Sequence, residues 1–205
     1  MVLCMEQYGE LVRRMKEAIR TKALEIPRFA EKKEGCIRIT SCPQCQGAYE
    51  WMGCNGEYKY SDMPYVEDTY VILPGGSRVA RFEKTDGSVD IVDTYAMTAM
   101  KIAQLSFIQD SKCVLLSGGK VDGLSAENGF APWRGALCCE IYSDHRNPNG
   151  CNGRGSGAPP FCLIYVSVSG ASEEEDLICA AAAVEEIQNF FRENGKYIVR
   201  PPQLD

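Results

Sequence analysis

The chain has 205 residues, 45% of them apolar and 24% charged, with a net charge of −6 and a sequence pI of about 5.0. That length and balance suit one globular domain, residues 1–205, with a sizeable core. No long basic block is present, which argues against a phosphate-tracking nucleic-acid binder, and no run of about 18 apolar residues is present to cross a membrane.

A helical region is expected over residues 5–33. Tyr8, Leu11, Val12, Met15, Ala18 and Ile19 recur at three- and four-residue spacing as one apolar stripe, with Arg13, Arg14, Lys16 and Glu17 opposite. Pro27 breaks or kinks the helix. The first residues, Met1–Glu6, lack a basic region followed by an apolar stretch, so no secretory leader is expected. Eleven cysteines, an odd number, include Cys138, Cys139, Cys162 and Cys179 inside apolar runs. With no leader, these read as buried free thiols in a reducing, cytoplasmic setting.

Residues 34–64 read as a turn-rich, cysteine-rich insertion, with Cys36–Thr40 and Ala48–Met52 as short strands. Cys36, Cys42, Cys45 and Cys54 place four thiols within nineteen residues. Cys-x-x-Cys spacing lets two thiolates reach one tetrahedral ion, so zinc or an iron–sulfur cluster is one reading. The second Cys-x-x-Cys of a zinc ribbon is missing. Metal-free thiols and thiol redox chemistry are the alternatives.

A hairpin is expected next, Thr69–Leu73 with Arg78–Phe82 about the turn Pro74-Gly75-Gly76-Ser77. Ser88 is expected to cap a helix from Val89 to Phe107 whose buried face includes Ile91, Val92, Tyr95, Ala96, Ala99, Met100 and Ile102. Lys112–Ser117 reads as a short strand and Gly118–Gly129 as loop. Gly135–Ser143 and Phe161–Ser169 are the strongest strand candidates, joined by a Gly-, Asn- and Pro-rich surface loop, Asp144–Pro160. That loop holds His145, the one histidine and so the one imidazole available as ligand or proton shuttle. Ser169-Gly170-Ala171 then turns the chain into a helix over Ser172–Asn194. Ser172 and Glu175 form a capping box, and Glu173, Glu174, Glu175 and Asp176 meet the positive end of the helix dipole. Gly195 ends the helix, and residues 196–205 read as a tail.

Three segments carry a resemblance. Val168-Ser169-Gly170-Ala171 leads into Glu173-Glu174-Glu175-Asp176; Asp86-Gly87-Ser88-Val89-Asp90-Ile91 is followed by Ala96-x-Thr98-Ala99; and Asn128-Gly129-Phe130-Ala131-Pro132 lies between them. Taken together over residues 66–192, they resemble the GlcG/HbpS-like family, the haem-degrading domain family, which also forms the C-terminal part of PduO-type proteins. The resemblance implies an α+β fold, profilin-like or PAS-like, with a central antiparallel sheet flanked by helices; here it would carry the cysteine-rich insertion on its N-terminal side. It implies a homo-oligomer that binds a small-molecule ligand, haem or corrinoid related. Asn128, Gly129 and Pro132 match the family's turn beside the proposed cleft, and Tyr95 stands where the family carries a lysine. Trp133 has the chemistry to stack on a planar ligand or to serve an oligomer interface, and Arg134 to pair with a carboxylate. If haem binds, His145, a cysteine or a tyrosine is the expected axial ligand. The alternatives are an enzyme using the same cleft, for haem degradation or a small-molecule conversion, and a zinc-stabilised structural or interaction protein.

Overall fold

The structure is a computed structural model that describes residues 5–42, 66–112, 135–143, 162–194 and 197–200. Helix α1, Met5–Leu24, buries Tyr8, Leu11, Val12, Met15, Ile19 and Ala23 along one face, as its spacing predicts. The chain restarts at Pro27, in the first turn of α2, Pro27–Lys32, where a missing N–H costs no helical bond. Lys33, left-handed at φ 53°, ends α2.

The main sheet has five strands: β1 Cys36–Cys42, β2 Val66–Val71, β5 Ala136–Ser143, β6 Cys162–Ser169 and β7 Tyr197–Arg200. Their order is β2-β1-β6-β5-β7, and every neighbouring pair is antiparallel. Because successive strand residues point to opposite faces, parity alone sorts the core. Ile37, Ile39, Leu137, Cys139, Ile141, Ile164, Val166 and Val168 join α1 and α4, Glu173–Asn194, in the larger core. The intervening positions face α3, Thr94–Lys112, whose Ile102 and Leu105 pack with Ala136, Cys138, Leu163 and Tyr165. The protein is therefore a mixed fold, an antiparallel sheet with helices on both faces. No described helix is long and apolar enough to cross a membrane.

The strand–turn–helix from β6 into α4 follows the sequence reading. Ser172 N–H donates to Glu175 Oε2 at 3.0 Å, and Glu175 N–H donates to Ser172 Oγ at 3.3 Å. Gly170 (φ 148°) is required by packing as well as by the turn, since a Cβ there would lie 2.6 Å from the Glu34 carbonyl oxygen and 2.7 Å from Gly35 Cα.

Three expectations are corrected. The segments Thr69–Leu73 and Arg78–Phe82 do not pair with each other. β2 pairs with β1, whereas β3, Val79–Glu83, pairs with β4, Val89–Asp93, in a separate two-stranded sheet. The helix expected from Val89 instead begins at Thr94. Asp86 Oδ1 accepts both the N–H and the O–H of Ser88, at 2.9 and 2.6 Å, and Gly87 sits at φ 82°. The Ser88 hydroxyl therefore serves a hairpin turn and is not a helix cap. Asp93 is the cap: its Oδ1 accepts from Tyr95 N–H at 3.1 Å. Finally, Tyr197–Arg200 of the expected tail is β7, paired with β5. Lys112, the first residue of the expected strand Lys112–Ser117, is instead the last residue of α3; the rest of that strand, the 118–129 and 144–160 loops, and the insertion from residue 43 to residue 64 lie outside the described residues.

Candidate functional site

Helix α3 meets the sheet through Thr94, Thr98, Lys101, Ile102 and Leu105, a single helical face whose first half is polar. Under that half lies Arg38 of β1, also buried. Its Nε donates to Thr98 Oγ1 at 3.3 Å and its Nη2 donates to the Tyr95 carbonyl at 3.2 Å. Thr98 in turn donates to the same Tyr95 carbonyl at 2.8 Å. Strand register sets Ser167 directly opposite Arg38, and Thr40 opposite Tyr165. Thr40 and Ser167 are therefore diagonal neighbours on the face that α3 covers, with Cα atoms about 5–8 Å apart. They are 4% and 0% exposed, and neither hydroxyl has a hydrogen-bond partner among the described residues.

Beyond Ser167 on this face, Lys101 Nζ donates to Asp176 Oδ2 and to the Val168 carbonyl, both at 2.8 Å. Asp176 Oδ1 accepts the Ala171 N–H at 3.1 Å. Burial pushes the Asp176 carboxyl up to about 6, against the Lys101 charge and the backbone amides that pull it down. Gly135, at φ 98°, brings β5 over this pair, where a Cβ would lie 2.7 Å from Asp176 Cβ and 2.8 Å from Lys101 Nζ. The pair ties α3, α4 and β6 together. Its two members bond to one another and to the backbone, which is the geometry of a structural lock.

Of the residues the sequence singles out for ligand binding, Tyr95 lies in the first turn of α3, with the Arg38 and Arg78 guanidinium carbons 4.7 and 5.1 Å from its ring centroid. Its carbonyl anchors Arg38, while the residue as a whole is 42% exposed. Asn128, Gly129, Pro132, Trp133, Arg134 and His145 lie outside the described residues, as do Cys45 and Cys54. Cys36 and Cys42 stand at opposite ends of β1. Six residue steps of extended strand put their Cα atoms about 20 Å apart. Burial raises the Cys36 thiol, and it pushes Cys139 and Cys179 up to about 12, so these three remain protonated at neutral pH. Among the described residues no group of three or more His, Cys, Asp or Glu side chains is gathered to hold a metal.

The sequence reading missed Arg38, Thr40, Thr98, Lys101 and Ser167, and it assigned Asp176 to the helix dipole. A signal was present: in Cys-Ile-Arg-Ile-Thr of β1 and Tyr-Val-Ser-Val-Ser of β6, polar residues alternate with aliphatic ones at period two. That pattern ordinarily marks a solvated face, whereas here α3 covers it. No family model matches the chain, and it has no match among curated proteins or solved structures.

Proposed function

We propose that this chain is a small-ligand-binding protein that seats its ligand between α3 and the polar half of the sheet, in the manner expected of a profilin-like, GlcG/HbpS-like domain. The observation that carries the reading is the pair of buried hydroxyls, Thr40 and Ser167, without hydrogen-bond partners among the described residues. A buried hydroxyl left unsatisfied costs about 1–3 kcal/mol, and a chain free to place valine and alanine there would avoid the cost. A bound molecule that hydrogen-bonds to both hydroxyls would offset it.

The described residues suit a polar, oxygen-bearing ligand better than haem. Haem iron takes an axial histidine, cysteine thiolate, methionine or tyrosine. Among the described residues, the thiols of Cys36, Cys139 and Cys179 are held protonated, and the face around Thr40 is hydroxyl-rich. The enzyme reading draws no support from Lys101 and Asp176, which bond to each other and to the backbone.

Native mass spectrometry of the purified protein tests the reading. A small molecule should be retained by the wild-type chain and lost from the Thr40→Val, Ser167→Ala double variant. Wild-type protein that carries no molecule, and gains none from a metabolite extract, would sink the reading. So would a ligand held equally by the double variant.

A further inference from the structure

The β3–β4 hairpin finishes its two edges differently. Backbone bonds from Lys84 N–H to the Ser88 carbonyl and from Thr94 N–H to the Arg78 carbonyl fix which residues face across the hairpin. By that alternation, Arg81 on β3 and Val89 and Ile91 on β4 turn their N–H and C=O groups away from the partner strand. On β3 those groups are used: Arg81 N–H donates to Glu34 Oε2 at 2.9 Å, and its carbonyl accepts from Arg28 Nη2 at 2.7 Å. On β4 the outer edge has no strand beside it among the described residues. Its side chains are aliphatic and open, with Ile91 71% and Val89 49% exposed.

Exposed edges are ordinarily guarded by charges that repel a second strand. The two charged side chains of β4 are neutralised within the protomer: Asp90 pairs with Lys84 at 2.8 Å and Asp93 with Arg78 at 2.6 Å. The sequence Val89-Asp90-Ile91-Val92-Asp93 is also complementary to itself when run antiparallel about Ile91. In that register Ile91 faces Ile91, each Asp93 faces Val89 and each Asp90 faces Val92, so no aspartate opposes another. A shift to a centre on Asp90 would set two carboxylates directly opposite, which is unfavourable.

We propose that the outer edge of β4 is a homodimer interface, on which β4 of a second copy pairs antiparallel about Ile91. The two hairpins then form one continuous four-stranded sheet in the order β3-β4-β4-β3. This interface is independent of the ligand seat beneath α3. It is isologous and closes on itself, so assembly through it stops at two chains.

Sedimentation equilibrium of the full chain at micromolar concentration should give twice the 22.7 kDa chain mass. Ile91→Lys sets two like charges opposite each other across the dyad and should return the monomer mass with an unchanged circular dichroism spectrum. Ile91→Cys should form a disulfide-linked dimer on mild oxidation, because facing residues in such a pair have Cα atoms about 5.5 Å apart, within disulfide reach. Thr85→Cys, exposed at the hairpin turn and away from the dyad, should give no more cross-linked dimer than the wild type. A monomeric wild type overturns the proposal, as does a dimer that survives Ile91→Lys, or cross-linking through Cys at 85 that equals cross-linking at 91.

Discussion

Lys101 and Asp176 lie 2.8 Å apart with side chains only 3% exposed, and burial dominates their energetics. Removing two ions from water costs several kcal/mol each, so a buried pair of this kind specifies packing more than it adds net stability. Lys101→Met should therefore destabilise the fold by about 3–5 kcal/mol, because it leaves an uncompensated carboxylate beneath Gly135. Adding Asp176→Leu should restore much of the loss in urea denaturation. The same carboxyl gives a pH signature. Burial holds Asp176 up to about 6, so the folded chain binds this proton more tightly than the unfolded chain, whose carboxylates titrate at about 4. The contribution is complete below about pH 4 and is lost as pH rises through about 6. Unfolding free energy measured for wild type minus Asp176→Asn should fall across that window. A difference that rises with pH would mean that the Lys101 charge outweighs burial.

At the level of elements, the boundary between β4 and α3 turns on which oxygen caps which helix. Asp93, not Ser88, accepts the first free N–H of α3. Asp93→Ala should cost about 1 kcal/mol of stability, the usual loss of an N-cap. Ser88→Ala should cost less, since Asp86 still holds the turn through the Ser88 N–H. Thermal denaturation of both variants decides the order. The sequence misleads here because Asp86-Gly87-Ser88 suits a hairpin turn and a helix start equally well, and because Val-Asp-Ile-Val-Asp is short enough to match either period. Helix α1 and the β6–α4 turn were legible for the opposite reason: a long apolar stripe and a reciprocal capping box each admit one reading. In α3 the expected buried face was displaced. Ala96 and Met100 are exposed, and Thr94, Thr98 and Lys101 are buried beside Ile102 and Leu105. Hydrophobic patterning finds the apolar side of a helix, and α3 turns a half-polar side inward.

At the level of the whole molecule, the sheet divides two environments. The face under α1 and α4 is aliphatic and aromatic, while the face under α3 holds Arg38, Thr40, Ser167 and the Lys101–Asp176 pair. The mixed fold with a helix-flanked antiparallel sheet was legible in the sequence. The polar site was not, since its contacts join distant parts of the chain, as Arg38 reaches Thr98 across 60 residues. No local pattern says that a second helix will cover an alternating strand. In the proposed ligand seat, Thr40 and Ser167 stay polar for a bound molecule at the expense of stability, as functional sites often are. Urea denaturation of ligand-free wild type and the Thr40→Val, Ser167→Ala double variant tests it most directly. The double variant should be the more stable, by about 1–3 kcal/mol for each hydroxyl removed; a double variant less stable than wild type would show that the hydroxyls serve the fold.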